Sequence, residues 1–222
     1  MNWFKNLKIG IKLTLGFTVL VLLMGFMAFQ GYRSVGTINH ELDQVIQTRL
    51  PITNLILNAD RDLQQALVAE RSMLFADASS DQFKNLVKEY KENVSQAKER
   101  WDKAAALFTT AEARNINQKF QADWAAWQKL SSRVVEARSE DTRIGRSEAL
   151  GLTLGPAAQA FETMRGHMNA VQEINDKLIA DLETQVEAIY SSVVKTIITM
   201  VTVAFLIAIA LGFFLTRGIT GP

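Results

Sequence analysis

The sequence predicts an all-α protein, an antiparallel up-down-up-down four-helix bundle continuous with two transmembrane helices. Three observations lead there. Residues 13–29 and 197–215 are uncharged and apolar. Between them, apolar residues recur at steps of three and four. Strand-like alternation and turn-rich tracts are missing from the same stretch.

The 222 residues are 48% hydrophobic, unevenly distributed. At about 1.5 Å per helical residue, each apolar run spans roughly 25 to 29 Å, enough to cross a bilayer. Ile9 and Ile11 extend the first run, and Lys12 can snorkel to the headgroups. A secretory signal peptide shares a basic start and apolar centre. No small-x-small cleavage pattern follows Phe29, however, and the second run would still anchor the chain.

All 23 acidic residues lie between Glu41 and Glu187. The ends carry only Lys5, Lys8, Lys12 and Arg217, net +4, against −3 for the middle. The positive-inside rule then makes both termini cytoplasmic and exports the intervening loop of about 165 residues. The expected layout is a cytoplasmic tail over 1–12, a first span over 13–31, an exported domain over 32–195, a second span over 196–215 and a cytoplasmic exit over 216–222. The setting is a membrane, with lipid as one partner. With no cysteine, the exported domain has neither disulfide nor thiolate metal site, so packing alone must hold it.

The first bundle helix is expected from Tyr32 to Ala76, continuing the first span, with a kink at Pro51. Its stripe is Ile38, Leu42, Val45, Ile52, Ile56, Ala59, Leu63 and Ala66, with Arg49 filling one step. Ser79 and Gln82 have capping-box spacing, starting a second helix over about 80–108 on Phe83, Val87, Tyr90, Val94, Ala97, Trp101 and Ala105. Thr109 and Glu112 form a second such box. It opens a third helix on Ile116, Phe120, Trp124, Trp127, Leu130 and Val134.

Polar residues from Ser139 to Ser147 end that helix, and Pro156 marks an early turn or kink of the fourth. The fourth carries Ala160, Met164, Met168, Val171, Ile174, Leu178, Leu182, Val186 and Ile189 toward the second apolar run. Helices one and four, about 45 residues or roughly 65 Å, reach the membrane. Helices two and three, about 30 residues or roughly 45 Å, fold back from the tip.

Two membrane helices bracketing such a bundle resemble the sensor region of methyl-accepting chemotaxis proteins, in their four-helix-bundle periplasmic class. The stretch from Asp60 to Arg71, DRDLQQALVAER, is similar to a segment recurring there, as are Glu148-Ala149-Leu150, Phe161-Glu162 and Arg165. Thr216 to Pro222 is similar to the entry of a HAMP linker, which the chain stops short of completing. The resemblance implies a homodimeric receptor in which a small-molecule ligand or a periplasmic binding protein shifts helix four against helix one. It also implies output through a cytoplasmic chemotaxis kinase and coupling protein beyond Pro222. The same module can feed a histidine kinase or a cyclase, and a membrane-anchored structural or adaptor protein is a rival from another class.

Crude layer counting groups Arg61, Gln64, Gln65, Trp124, Trp127 and the segment 161–168. Arg61, Arg71 and Arg165, with Gln64, are the candidates to hold a carboxylate or phosphate, with Trp127 as an apolar wall. Against that stand solvated or intrahelical arginines, such as Glu162 with Arg165, and ordinary core packing for both tryptophans. Arg49 and Glu70 on or beside the apolar stripe are unusual, and dimer contact or bundle-edge exposure accounts for them equally. His40 and His167 lack the spacing of metal ligands. No nucleophile elbow, phosphate loop or basic surface points to an enzyme, a cofactor or nucleic acid.

Overall fold

A computed structural model describes residues 8–220, so Lys5 and the Gly221-Pro222 end of the expected linker entry lie outside the described residues. Every regular element among those residues is helical: α1 (Ile9–Gln44), a π turn (Val45–Arg49), α2 (Leu50–Met73), α3 (Asp81–Ala105), α4 (Ala111–Ser139), α5 (Arg143–Leu154) and α6 (Pro156–Thr220). Residues Gln44–Ala180 form one compact unit, the four-helix bundle, and the flanking residues form another.

In the flanking unit, two helices are long and apolar enough to cross a membrane. Phe17, Val21, Leu22 and Met24 on α1, and Phe205, Leu206, Phe213 and Phe214 on α6, all point outward. Such a surface needs apolar surroundings. Gly16 is buried beneath Leu211, where a Cβ would collide with the leucine side chain. Thr14, Thr199 and Thr202 return their hydroxyls to carbonyls four residues back, which satisfies a polar group inside an apolar helix.

The bundle is built from α2, α3, α4 and a fourth arm made of α5 and the first part of α6. Its α2 core face is Ile52, Ile56, Ala59, Leu63, Ala66 and Met73. The expected stripes of α3 and α4 are largely buried, from Phe83 to Trp101 and from Phe120 to Val134. Aromatic rings run through the core: Phe108 meets Trp101 at 5.8 Å, Trp101 stacks on Phe120 at 3.9 Å, and Trp124, Trp127 and Phe161 follow. Trp101 donates its indole N–H to Asn117 at 2.8 Å, so its burial leaves no orphan donor.

Several boundaries differ from expectation for local reasons. The irregularity near Pro51 is a π turn ending before it, with the Leu50 amide bonded to the Val45 carbonyl. The wider turn accommodates a residue that lacks an N–H and crowds the carbonyl four residues back. The cap of α3 is Ser80, which accepts from the Phe83 amide at 3.1 Å. Ser79 instead donates its amide and hydroxyl to Asp77. Likewise Thr110 caps α4, accepting from Ala113, and Thr109 is released to accept from Arg49 at 2.9 Å.

The fourth arm starts earlier than the Ser139 to Ser147 stretch suggested. Thr142 caps α5 by accepting from the Gly145 amide at 2.9 Å. Gly145 sits where a Cβ would collide with the Ala137 carbonyl, letting α5 approach α4 closely. The arm breaks at Gly155, and Pro156 opens α6, where its missing donor costs nothing. Buried residues of α6 include Phe161, beside the expected Ala160, and Asn175, beside the expected Ile174.

Arg138, 2% exposed, closes the tip. It donates to the carbonyls of Met73 and Ala76, pairs with Asp141 at 3.0 Å, and lies 5.3 Å over the Phe83 ring. A cation on the last carbonyls of α2 complements that helix end. Arg138→Met should therefore lower the stability of the bundle by about 2 to 4 kcal/mol. Arg133→Ala, on an exposed ion-pair network, should leave the unfolding midpoint almost unchanged. Urea unfolding followed by tryptophan fluorescence separates the two; equal midpoints would refute the capping role.

Candidate functional site

The bundle core is apolar except for a few polar side chains, and these define its candidate sites. Arg49 and Glu70 occupy core positions of the α2 face, continuing the steps Ile52, Ile56, Ala59, Leu63, Ala66. Both are buried, at 7% and 1% exposure, so the bundle-edge reading of these two residues is corrected.

Toward the tip, Glu70 has no basic side chain in contact. One carboxyl oxygen is bonded to the Ser131 hydroxyl and the other accepts from Thr153 at 2.5 Å. Ser131 in turn meets the Tyr90 hydroxyl at 2.8 Å, so α2, α3, α4 and α5 share one hydrogen-bonded chain. Burial pushes the Glu70 carboxyl above its ordinary range; the two hydroxyls and the Arg71 charge pull the other way and are outweighed. Tyr90 is also pushed upward by burial.

At mid-height, ion pairs tie the helices together. Asp60 on α2 receives two bonds from Arg165 on α6, at 2.6 and 3.1 Å. Asp62, with its side chain 1% exposed, receives Arg100 of α3 at 2.6 Å and its neighbour Arg61 at 2.8 Å. Asp123 of α4 meets His167 of α6 at 2.7 Å. At the end where the chain enters and leaves the bundle, Asn175 of α6 donates to the Arg49 carbonyl at 3.0 Å and to Thr53 at 2.9 Å.

The residues expected to hold an anion are therefore distributed. Arg61 is exposed, with its guanidinium on Asp62. Arg165 pairs with Asp60 rather than with Glu162, which adds only a longer-range charge. Gln64 is half-buried and Arg71 exposed, both on the outer side of α2. Trp127 is in the core, 5.8 Å from Phe161 and remote in kind from a ligand wall. The acidic partners Asp60 and Asp62, and the neutral partners Ser131, Thr153 and Asn175, were missed. A sequence signal existed for Asp62 and Asn175, each beside an apolar stripe position.

Glu70 sets a pH dependence with a definite sign. Its carboxyl holds a proton more tightly in the folded chain than in the unfolded one. The stabilisation is therefore complete below the unfolded value and is lost as pH rises through the raised folded value. Glu70→Gln should flatten that fall and raise the melting temperature above the wild type at neutral pH. Melting curves from pH 4 to 8 on both proteins read it; parallel profiles would exclude a neutral buried carboxyl.

The sequence matches the family described as a four helix bundle sensory module for signal transduction over residues 6–190. No curated protein and no solved structure matches the chain in the corresponding comparisons. With that match covering the whole bundle and reaching into both apolar helices, the chain belongs to the four-helix-bundle sensory modules of methyl-accepting chemotaxis proteins.

Proposed function

We propose that this chemoreceptor-type input module works as a homodimer paired along α2, with its bundle exported and both termini cytoplasmic. The observation that carries the proposal is a second 3-4 stripe along α2 and into the turn that follows it, opposite the core face. Leu50, Asn54, Leu57, Arg61, Gln64, Val68, Arg71 and Phe75 recur at alternating steps of four and three, and all but half-buried Gln64 are exposed. Phe75 is 90% exposed. A seam repeating every seven residues is the geometry by which two copies of one helix pair in parallel.

Arg61, Gln64 and Arg71 sit on that seam, so a dimer brings two sets of them together. This supports an anionic or amino-acid-like ligand, or a periplasmic binding protein, acting at the paired face. Asp62, which already holds Arg61, does not prevent this, because the arginine side chain is half exposed. Arg165 and Trp127 enter as the coupling path from that face into α6 and the core.

Output is proposed to travel through α6, one helix from Pro156 to Thr220. Its register on α2 is set by Arg165 on Asp60 and Asn175 on the Arg49 carbonyl. A ligand moves α6 only by binding unequally to its two positions. The receiver in this reading is a chemotaxis kinase with its coupling protein, reached through further chain, and the module itself is not catalytic.

The absence of cysteine makes the pairing directly measurable. Leu57→Cys and Val68→Cys should each give an oxidised dimer in membranes, whereas Lys88→Cys on the exposed face of α3 should remain monomeric. Crosslinking from Lys88 alone would place the dimer elsewhere. A thermal-shift screen of the full chain against amino acids, organic acids, purines and inorganic anions tests the ligand. A binder at a hundred times its Kd should raise melting by roughly 5 to 10 °C, and Arg61→Ala or Arg71→Ala should abolish the rise. Unchanged shifts in both variants would remove the seam as the ligand site.

A further inference from the structure

Glu70 is buried where α2, α3, α4 and α5 meet, and its carboxyl faces hydroxyls instead of a counter-charge. Among the described residues the charge acting on it is Arg71, its exposed neighbour on α2. From α4 and α5 it faces Ser131 and Thr153, and from α3 the Tyr90 hydroxyl stands behind Ser131. The charged side chains of α4 and α5 in that part of the bundle, Arg133, Arg138 and Glu148, are taken up in ion pairs of their own. An amide could serve the same hydroxyls without ever placing a charge in the core, so the carboxyl adds the capacity to ionise.

The hydroxyl chain leads outward. Ser131 meets Tyr90 at 2.8 Å, and the Ser132 hydroxyl acts in turn on the Tyr90 oxygen. Tyr90 and half-buried Ser132 both line an open groove of about 830 Å³ between α3 and α4, with exposed Lys91 and Ser95 on its α3 side. Solvent fills a polar groove of that size. Three hydroxyls, those of Ser131, Tyr90 and Ser132, therefore bridge the buried carboxyl to water.

Each of these hydroxyls carries one hydrogen and can accept another, and the contact between Ser131 and Tyr90 is satisfied in either direction. With the carboxylate ionised, Ser132 donates to Tyr90, Tyr90 to Ser131 and Ser131 to Glu70, while Thr153 donates to the other carboxylate oxygen. When a proton enters from the groove, each hydroxyl of the chain hands its hydrogen one step inward and receives one from outside. The carboxyl then donates to Ser131, Ser131 to Tyr90 and Tyr90 to Ser132. The net change is one proton moved from solvent to Glu70, and no buried hydroxyl loses its partner in either state.

We infer that Glu70 is a reversible proton-binding site, served from the α3–α4 groove through Ser132, Tyr90 and Ser131, and that the proton is a second stimulus received by this module. Protonation removes a buried charge from the place where α2, α4 and α5 are joined. Acid on the bundle's side of the membrane therefore tightens the tip and alkali loosens it. That the proton counts as a stimulus rests on the receptor reading, whereas proton binding is read on the chain itself and is independent of the α2 seam.

The test is infrared spectroscopy of the full chain in detergent, reading the C=O stretch of protonated carboxyls. Ordinary carboxyls are ionised above about pH 6, so a band remaining there reports one that holds its proton more tightly. The wild type should keep such a band at that pH and lose it reversibly on titration into alkali, and Glu70→Gln should lack it. Thr153→Val deletes a donor to the ionised carboxylate, so the midpoint of the loss should move up by about one pH unit. Tyr90→Phe interrupts the relay, so the band should return severalfold more slowly after a jump back to acid. A wild type without the band, a band indifferent to alkali, one that survives in Glu70→Gln or a midpoint unmoved by Thr153→Val would overturn the site. An unchanged rate in Tyr90→Phe would overturn the relay.

Discussion

Burying charge without a counter-charge is the constraint around which the bundle is arranged. Arg49, the last residue of the π turn, and Glu70 of α2 continue one core face, 21 residues or about 31 Å apart along the chain's helical path, too far to neutralise one another. Each end must therefore solve its own electrostatic problem. At the tip, burial makes the carboxyl hold its proton more tightly, and hydroxyls from α4 and α5 satisfy its oxygens. At the entry end the guanidinium cannot shed its proton, and among the described residues its side-chain bond is to a threonine hydroxyl.

Between those ends, Asp60 and Asp62 are each paired with an arginine of another helix. Asp60 and Asp62 differ by two positions on α2 and so face different neighbours, one meeting α6 and the other α3. These pairs, with His167 on Asp123, specify which helices adjoin; the aromatic rings from Phe108 to Phe161 supply the packing. Ion pairs of this kind fix register better than they add stability. That suits the shift of α6 proposed above.

Helix existence, order and core faces were legible because Ile52 to Ala66 and Phe120 to Val134 repeat with the helical period and few polar interruptions. Caps were off by one because Ser79-Ser80 and Thr109-Thr110 are doublets. Choosing within each required knowing that Asp77 claims Ser79 and Arg49 claims Thr109. The arginines looked like an anion site because sequence shows donors one helix at a time. Their acceptors Asp60 and Asp62 stand one residue away from Arg61, where same-helix reasoning does not pair them with Arg165 or Arg100. The α2 seam was hidden for another reason: its apolar members alternate with Asn, Arg and Gln, so it does not read as a stripe until the core face has been assigned.

The single-residue break at Gly155 separates two mechanical roles in one arm. Thr153, two residues before it, is held to Glu70, while the Pro156 ring begins a helix that needs no amide from the preceding turn. In the helix shift proposed above, the joint would act as a clutch. A sliding or turning α6 can be absorbed by the torsions of one glycine, leaving the tip clamped by Arg138 and α5 as a fixed frame. Work done on α6 is then spent along its own axis instead of in unpacking the far end of the bundle.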